Sequence, residues 1–383
     1  MRTVRNPFIT GGYISAEYFC DREQESKEVI RTITNGNNLV IISPRRMGKT
    51  GLIEHCFQDD QITQDYYTFF IDIYATSTLR EFVFKLGKEI FEQLKPKGKQ
   101  FIETFFSIIS SFRPAFKLDK MTGAPIFDIG IGEIHQAEIT LEEIFKYLEA
   151  ADKHCIVAID EFQQIGRYPE KNIEAVLRTY IQQSKNTSFI FAGSQRHVMQ
   201  NIFFSSSRPF YQSVGLLSLN AINEAEYVRF VMKHFQNDRK EIPEELVKRI
   251  YQLFEGHTWY IQNIFNEIFS LTAQNECCNL DLATEAVENK INSFEPLFQS
   301  TLSLLPERQK EILFAIAKEG KAVGITSGAF IKKHGLQSPS SVQTAVRQLL
   351  DKEIITVESN VYQIYDRFFG LWMSKVYGTG YSI

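Results

Sequence analysis

The stretch "LVIISPRRMGKTGLI", Leu39 to Ile53, joins three kinds of local sequence. Its first four residues are apolar and mostly β-branched, which is typical of a buried strand. A polar loop with a glycine follows, and "GLIEHCF" can begin a helix. A strand, a loop and a helix in this order form the setting in which backbone N–H groups at a helix start surround a phosphate. The stretch therefore predicts a phosphate-binding loop on a parallel sheet.

The loop departs from the motif G-x-x-x-x-G-K-[ST] at one position, because Ser43 replaces the first glycine. If that position needs a left-handed backbone, the replacement costs about 1 kcal/mol, which strains the loop without abolishing it. Lys49 is expected to reach the phosphates and Thr50 to hold Mg²⁺. Two arginines add positive charge, unless they form an ordinary solvated face. The residues predicted to bind nucleotide here are Ser43, Pro44, Arg45, Arg46, Met47, Gly48, Lys49, Thr50 and Gly51.

Composition sets limits but names no partner. A chain of 383 residues has room for two or three domains, and its net charge of −4 gives no global attraction to nucleic acid or anionic lipid. The five cysteines are odd in number and lack C-x-x-C spacing, which argues against a disulfide framework and a zinc site. No apolar run reaches the roughly 20 residues that span a bilayer. We expect a cytoplasmic protein with no membrane span.

Five apolar runs have the spacing of strands in an α/β domain, with helical patterns between them. Because these runs are almost continuously apolar, they predict a parallel sheet that helices cover on both faces. The runs are residues 38–43, 67–73, 155–160, 188–193 and 213–219. This core is predicted to span residues 1–220, with an insertion at about 96–138 that contains a β-hairpin around Thr122-Gly123.

The pattern changes after residue 220. Apolar residues recur at three and four positions through residues 221–303, which predicts a helical lid domain. Residues 304–383 read as three helices followed by two short strands, the order of a winged-helix domain.

A second motif, "CIVAIDEFQQI", ends a predicted buried strand with two acids. Buried acids are costly unless a cation or another partner meets them. We expect Asp160 to complete a Mg²⁺ site with Thr50, and Glu161 to act as the general base that polarises the attacking water. Ordinary acids at an exposed strand end are the alternative.

The strand that ends in "FIFAGSQRHVM" places further polar residues at the same sheet edge. Ser194 could sense the γ-phosphate through the attacking water, and Arg196 could stabilise its charge. A loop with solvated polar groups explains the same residues. Arg208 could reach the phosphates of a neighbouring subunit if the chain forms a homo-oligomer.

The chain resembles the archaeal-type ATPases of the STAND group of AAA+-like P-loop NTPases, including their bacterial relatives. The resemblance rests on "YFCDREQE", "PRRMGKT", "AIDEFQQI", "AGSQRHVM", "FEGHTWYIQ" and "YDRFFGLWM". It implies a five-stranded sheet in the order 5-1-4-3-2, a helical lid and a winged helix. It also implies that Tyr18 and Phe19 border the adenine. His257 would contact the nucleotide from the lid, although Thr258 stands where relatives often have proline, and a structural histidine is the alternative.

These features predict an ATPase that binds ATP or ADP with Mg²⁺ and acts as a slow nucleotide-dependent switch, in signalling or defence as the resemblance implies. A DNA-binding regulator of origin-recognition-like architecture and a scaffold with negligible turnover remain alternatives. From Leu304 onward there are ten Lys or Arg against seven Asp or Glu. The predicted recognition helix offers only Arg347 and Lys352, which favours a protein partner over DNA.

Overall fold

The computed structural model describes residues 6–94, 99–110, 116–118, 125–127, 136–378 and 380–381. The chain divides into two compact units. One unit contains Gly12–Asn220 and is called the sheet unit. The other combines the residues up to Gly11 with those from Ala221 onward and is called the helical unit.

The sheet unit is built on five parallel strands. The described strands of this unit are β1 (Leu39–Ile42), β2 (Tyr66–Asp72), β3 (Phe116–Leu118), β4 (Pro125–Phe127), β5 (His154–Asp160), β6 (Thr187–Gly193) and β7 (Gly215–Ser218). Five of them lie side by side in the order β2-β5-β6-β1-β7, and each neighbouring pair is parallel. Numbered among themselves, these five strands have the order 2-3-4-1-5. The predicted order 5-1-4-3-2 is the same sheet seen from its other edge and is confirmed.

Helices cover both faces of this sheet, which explains why its strands are so apolar. The described helices of the sheet unit are α1 (Glu23–Thr34), α2 (Lys49–Phe57), α3 (Asp60–Asp65), α4 (Leu79–Leu94), α5 (Lys99–Ile108), α6 (Ala137–Glu149), α7 (Ile173–Gln183) and α8 (Arg196–Phe204). One buried cluster includes Phe69 and Phe189, and a second includes Leu52 and Ile156. Every residue of β1 and β6 is buried, so the centre of the sheet is fixed by apolar packing on both sides.

The region of the predicted insertion contains a short antiparallel pair. Phe116 of β3 lies opposite Phe127 of β4, and Leu118 lies opposite Pro125. The predicted turn at Thr122-Gly123 lies outside the described residues.

The helical unit begins with α9 (Glu224–Asn237), α10 (Glu244–Leu253), α11 (Thr258–Leu271) and α12 (Leu280–Ser303). Residues 6–11 belong to this unit, whereas the sequence placed them in the core domain. Phe8 is fully buried, with ring centroids 5.6 Å from Phe265 and 5.7 Å from Phe269. The Asn266 amide donates to the Phe8 carbonyl at 2.8 Å. Burial of this one aromatic ring therefore holds the first described residues against a helix far away in sequence.

The last part of the helical unit has winged-helix architecture. It consists of α13 (Glu307–Glu319), β8 (Ala322–Val323), α14 (Gly328–His334), α15 (Pro339–Asp351), β9 (Ile355–Glu358), β10 (Val361–Ile364) and α16 (Arg367–Tyr377). The three strands pair in the order β8-β10-β9, and both pairings are antiparallel. A domain boundary at residues 303/304 stays a prediction. Among the described residues, no helix has the length and apolar character needed to cross a membrane.

Candidate nucleotide-binding site

The loop after β1 turns without strain at Ser43. The Ser43 side chain is buried, and its backbone N–H donates to the carbonyl of Gly193 on β6 at 3.3 Å. The left-handed backbone occurs further along the loop, at Arg46 with φ of 67° and at Gly48 with φ of 90°. The strain expected at Ser43 is therefore absent, because the turn does not need a positive φ there.

Lys49 is the first residue of α2 and is largely buried at that end of the helix. Gly48 caps this helix and supplies no side chain to its first N–H groups. Lys49 is 6% exposed, and in the described parts of the chain it forms no ion pair or hydrogen bond through its side chain. A largely buried ammonium without a counterion is costly, so this position fits a lysine whose partner is a bound anion. The helix dipole favours negative charge at the same point.

Thr50 and Asp160 bring the two predicted motifs together. The Thr50 hydroxyl donates to Asp160 Oδ2 at 2.8 Å, and Asp160 Oδ1 accepts from the backbone N–H of Glu161 at 2.9 Å. The Asp160 side chain ends β5 and is largely buried. One hydroxyl and one carboxylate are hard oxygen donors of the kind that Mg²⁺ takes together with phosphate oxygens. No group of three or more His, Cys, Asp or Glu that could hold a metal occurs in the described residues.

The Glu161 carboxylate accepts hydrogen bonds from two side chains, and the local backbone conformation places one of them. It has φ of 56°, and a short 3-10 helix, Phe162–Arg167, comes directly after it. Its Oε2 accepts from the Ser194 hydroxyl at 3.0 Å and also from the Gln163 amide. The sequence predicted Glu161 and Ser194 as site residues but missed Gln163. The repeated "QQ" after the two acids was the only signal, and it does not tell which glutamine faces the site.

Arg22 is a second residue that the sequence reasoning missed. It is 3% exposed and lies immediately before α1. Its guanidinium pairs with Glu25 at 2.7 Å and donates to the carbonyl oxygens of Met47 at 3.3 Å and Asn220 at 2.6 Å. Arg22 therefore ties the phosphate loop to the chain that leaves β7. It belongs to the stretch "YFCDREQE", which carried part of the resemblance but no residue role.

The two predicted adenine neighbours lie beside the first turns of α2. A side-chain Cβ at Gly51 would meet the Phe19 ring at 3.5 Å, so Phe19 packs over the turn that follows Lys49. The Phe19 ring also stacks on His55, with centroids 4.5 Å apart. Burial lowers the pKa of His55, so its ring is neutral near pH 7. Tyr18 ends a 3-10 helix, Ala16–Tyr18, and is half-buried.

A cavity lies further along the same side of α2. Its volume is about 280 Å³, and residues 13–16 line it together with His55 and Asp59. The Tyr13 hydroxyl and the His55 ring nitrogen Nδ1, 3.0 Å apart, mark one side of this cavity.

The remaining predicted residues lie in different surroundings. Arg196 begins α8 and is exposed, whereas the Arg45 guanidinium lies 5.4 Å from the centre of the Tyr74 ring. Arg208 forms an ion pair with Glu174 at 3.0 Å within its own chain. His257 belongs to the helical unit, where its Nδ1 lies 3.0 Å from the Phe254 carbonyl oxygen, so its contact with a nucleotide stays a prediction. Burial and the nearby Arg367 lower the pKa of this histidine.

Comparison with known structures supports the same fold. The Walker-type ATPase PABY2304 of Pyrococcus abyssi superposes with a TM-score of 0.63 at 17% identity, covering 96% of this chain and 99% of its own. The ORC2 protein of Aeropyrum pernix, solved as ADPNP-ADP complexes, gives 0.60 at 13% identity, covering 97% and 96%. The ORC1 protein of the same organism, solved in complex with DNA, gives 0.52 at 12% identity, covering 94% and 93%. At such low identities the likeness establishes the fold alone.

Family models assign the sequence more directly. None of the curated proteins matches it. A model described as "probable winged helix domain" matches residues 296–375, and a model described as an ATPase domain predominantly from archaea matches residues 19–264. The second match covers more than half of the 383 residues and contains both motifs of the site. The chain therefore belongs to this family of ATPase domains found predominantly in archaea.

Proposed function

We propose that the chain binds ATP at the loop of residues 43–51 and hydrolyses it slowly. The observation that carries this proposal is the 2.8 Å hydrogen bond from Thr50 to Asp160, since it joins two motifs that lie 110 residues apart in sequence. This contact supports the proposal because it brings to one sheet edge the motif that we expect to bind phosphate and the motif that we expect to activate water.

Different residues in and beside the loop contact different parts of the nucleotide in this proposal. Lys49 contacts the phosphates, and the N–H groups at the start of α2 surround them. Arg45 and Arg46 add positive charge at the same loop. Phe19 packs against Gly51 and borders the adenine together with Tyr18, which supports a base position beside the first turn of α2.

Asp160 and Glu161 have separate roles, the first in binding Mg²⁺ and the second in accepting a proton from water. When bound, Mg²⁺ neutralises phosphate charge during transfer. Thr50 and Asp160 hold it through one hydroxyl and one carboxylate oxygen. Glu161 accepts the proton of the attacking water through the oxygen that Gln163 and Ser194 leave open. Arg196 stabilises charge on the phosphoryl group from the start of α8.

The proposal includes a switch of the STAND type, in which the bound nucleotide controls how the rest of the chain is arranged. His257 then takes part as the lid residue that responds to the nucleotide. Its lowered pKa supports a neutral imidazole at pH 7, which can both donate and accept hydrogen bonds.

DNA binding is the second candidate, and the winged-helix architecture favours it. The charges of the recognition helix do not. Arg347 is exposed and is the cation within α15 itself. Lys352, directly after α15, is also exposed, but its ammonium donates to Gln309 at 3.0 Å. Lys332 and Lys333 on α14 are exposed, but Lys333 pairs with Glu319 at 2.6 Å. We therefore propose that this domain docks on protein.

The test separates binding from chemistry. Lys49→Ala should abolish binding of a fluorescent ATP analogue, whereas Lys27→Ala, at an exposed lysine of α1, should bind as wild type does. Glu161→Gln should keep Mg·ATP bound and lower turnover by about a hundredfold or more. Asp160→Asn should weaken the dependence of binding on Mg²⁺. Equal affinity in wild type and Lys49→Ala would refute the proposed site.

A further inference from the structure

Gln163 lies at the centre of the contacts around Glu161. Its side chain is 2% exposed, and its amide donates to Glu161 Oε2 and to the Ser194 hydroxyl, the latter at 3.3 Å. Ser194 in turn donates to the same Glu161 oxygen. Three side chains from two strand ends therefore form one closed cluster, and Gln163 is its most buried member.

The other end of the Gln163 amide shows how tightly this side chain is confined. Its Oε1 is buried and accepts no hydrogen bond from the described chain. A Cβ at Gly193 would lie only 2.5 Å from that oxygen and 2.5 Å from the Met199 sulfur. The end of β6 therefore has room for Gln163 only because residue 193 is a glycine. A buried acceptor without a donor costs free energy. The hydrogen bonds that the Gln163 NH₂ group donates must therefore offset this cost.

The two carboxylate oxygens of Glu161 differ in the number of hydrogen bonds that they accept. Oε2 accepts from both donors, and Oε1 accepts from no side chain or backbone group among the described residues. The carboxylate is thus fixed through one oxygen while the other remains available to take a proton. A general base must be held within hydrogen-bonding reach of the proton that it abstracts, so an amide that fixes its orientation affects the rate.

We propose that Gln163 is a positioning residue that orients Glu161 for proton abstraction from water. This inference rests on the proposed function. Gln163 acts through the carboxylate and contacts neither nucleotide nor metal. Its loss should therefore lower kcat and leave nucleotide binding intact.

The neighbouring residue supplies a matched control. Gln164 is also a buried glutamine of the same 3-10 helix, but its side-chain amide donates to the Tyr74 carbonyl at 2.6 Å. Its hydrogen bond to Glu161 runs from the backbone N–H to the Glu161 carbonyl at 2.9 Å, and a side-chain substitution keeps it. Replacing each glutamine by methionine removes an amide of similar size from the same helix. A general loss of packing would affect both variants, whereas a role through Glu161 would affect Gln163 alone.

The experiment compares steady-state ATP hydrolysis, ATP-analogue affinity and thermal unfolding in the full chain. Gln163→Met should lower kcat about tenfold, the size expected for one oriented hydrogen bond to a charged group, with KM and analogue affinity unchanged. Gln164→Met should keep the wild-type kcat. Gln163→Leu, which also removes the amide donor and adds no charge beside Glu161, should lower kcat about as much as Gln163→Met. It serves as the second variant if the methionine variant does not fold.

A double-mutant cycle then tests whether the effect passes through Glu161. In a Glu161→Gln background, measured in single-turnover reactions, Gln163→Met should cause no further fall. Wild-type kcat in both Gln163 variants, or the same tenfold fall in the Glu161→Gln background, would overturn the inference while the ATPase assignment stands. A wild-type chain that binds ATP but never hydrolyses it would refute the proposed function and this inference together.

Discussion

Replacing Arg22 by methionine should loosen the phosphate loop and destabilise the sheet unit. Arg22 is 3% exposed, and its guanidinium makes three contacts, to Glu25, to the Met47 carbonyl and to the Asn220 carbonyl. Methionine is apolar, fills much of the same space and donates no hydrogen bond. The variant therefore leaves two carbonyl oxygens without their donor, one of them inside the loop that is proposed to hold phosphate.

The size of the effect follows from these contacts. Hydrogen bonds that involve a charged group contribute about 1.5 to 3 kcal/mol, and the partly exposed pair with Glu25 contributes at most about 1 kcal/mol. We expect a loss of about 3 kcal/mol in the free energy of unfolding, which lowers the Tm of a unit of this size by about 10 °C. ATP affinity should fall about tenfold, since about 1.4 kcal/mol of loop ordering would have to be restored on binding.

The assay is thermal unfolding of the full chain together with titration of a fluorescent ATP analogue. Arg31→Met is the control, because Arg31 is an exposed arginine on the same helix, α1. It should change neither Tm nor affinity. If Arg22→Met melts within about 2 °C of wild type and binds the analogue equally well, Arg22 does not position the loop.

Three other predictions address the helical unit. Burial of Glu255 acts to raise its pKa, but the hydrogen bond from Lys321 at 2.5 Å and nearby cations outweigh burial and lower that pKa below its ordinary 4.5. The stability that this pairing contributes should be present above pH 4.5 and lost as the pH falls through the lowered pKa. Unfolding scans from about pH 6 to about pH 3 should show a smaller loss of stability in Glu255→Gln than in wild type. Limited proteolysis around Leu304, which is 79% exposed, should differ between ATP-bound and ADP-bound chain, and identical digestion patterns would contradict the switch. The full chain should lack the roughly thousandfold loss of DNA affinity between about 50 and 200 mM salt that six phosphate contacts produce, whereas tight binding at physiological salt that Arg347→Ala removes would favour the DNA-binding alternative.

The sequence predicts the sheet and the two motifs because both depend on local patterns. Buried parallel strands have near-continuous apolar runs. The loop comes directly after β1, and the two acids stand at the end of β5, so both motifs have fixed positions relative to a strand. Ser43 shows the limit of a motif, since the absent glycine had no backbone role to lose.

Contacts that depend on three-dimensional packing could not be predicted in this way. Arg22 binds backbone carbonyls 25 and 198 residues away. Every residue type has a backbone carbonyl, so the sequence does not indicate which carbonyls an arginine contacts. Gln163, and not Gln164, faces Glu161 because Glu161 adopts a left-handed backbone before a 3-10 helix. Helical or strand periodicity cannot indicate a single residue of that kind.

The position of Phe8 has a consequence for how the protein folds during synthesis. Its aromatic partners include Phe269, and the neighbouring Asn6 bonds to a carbonyl 260 residues later in the chain. Ribosomes add about 5 to 20 residues per second, so this ring leaves the exit tunnel some 10 to 50 seconds before its partners are made. During that interval the sheet unit can fold while the segment around Phe8, which precedes it in sequence, stays exposed. Phe8 is thus made long before the helix that buries it, and its ring is available to chaperones on the nascent chain until that helix appears.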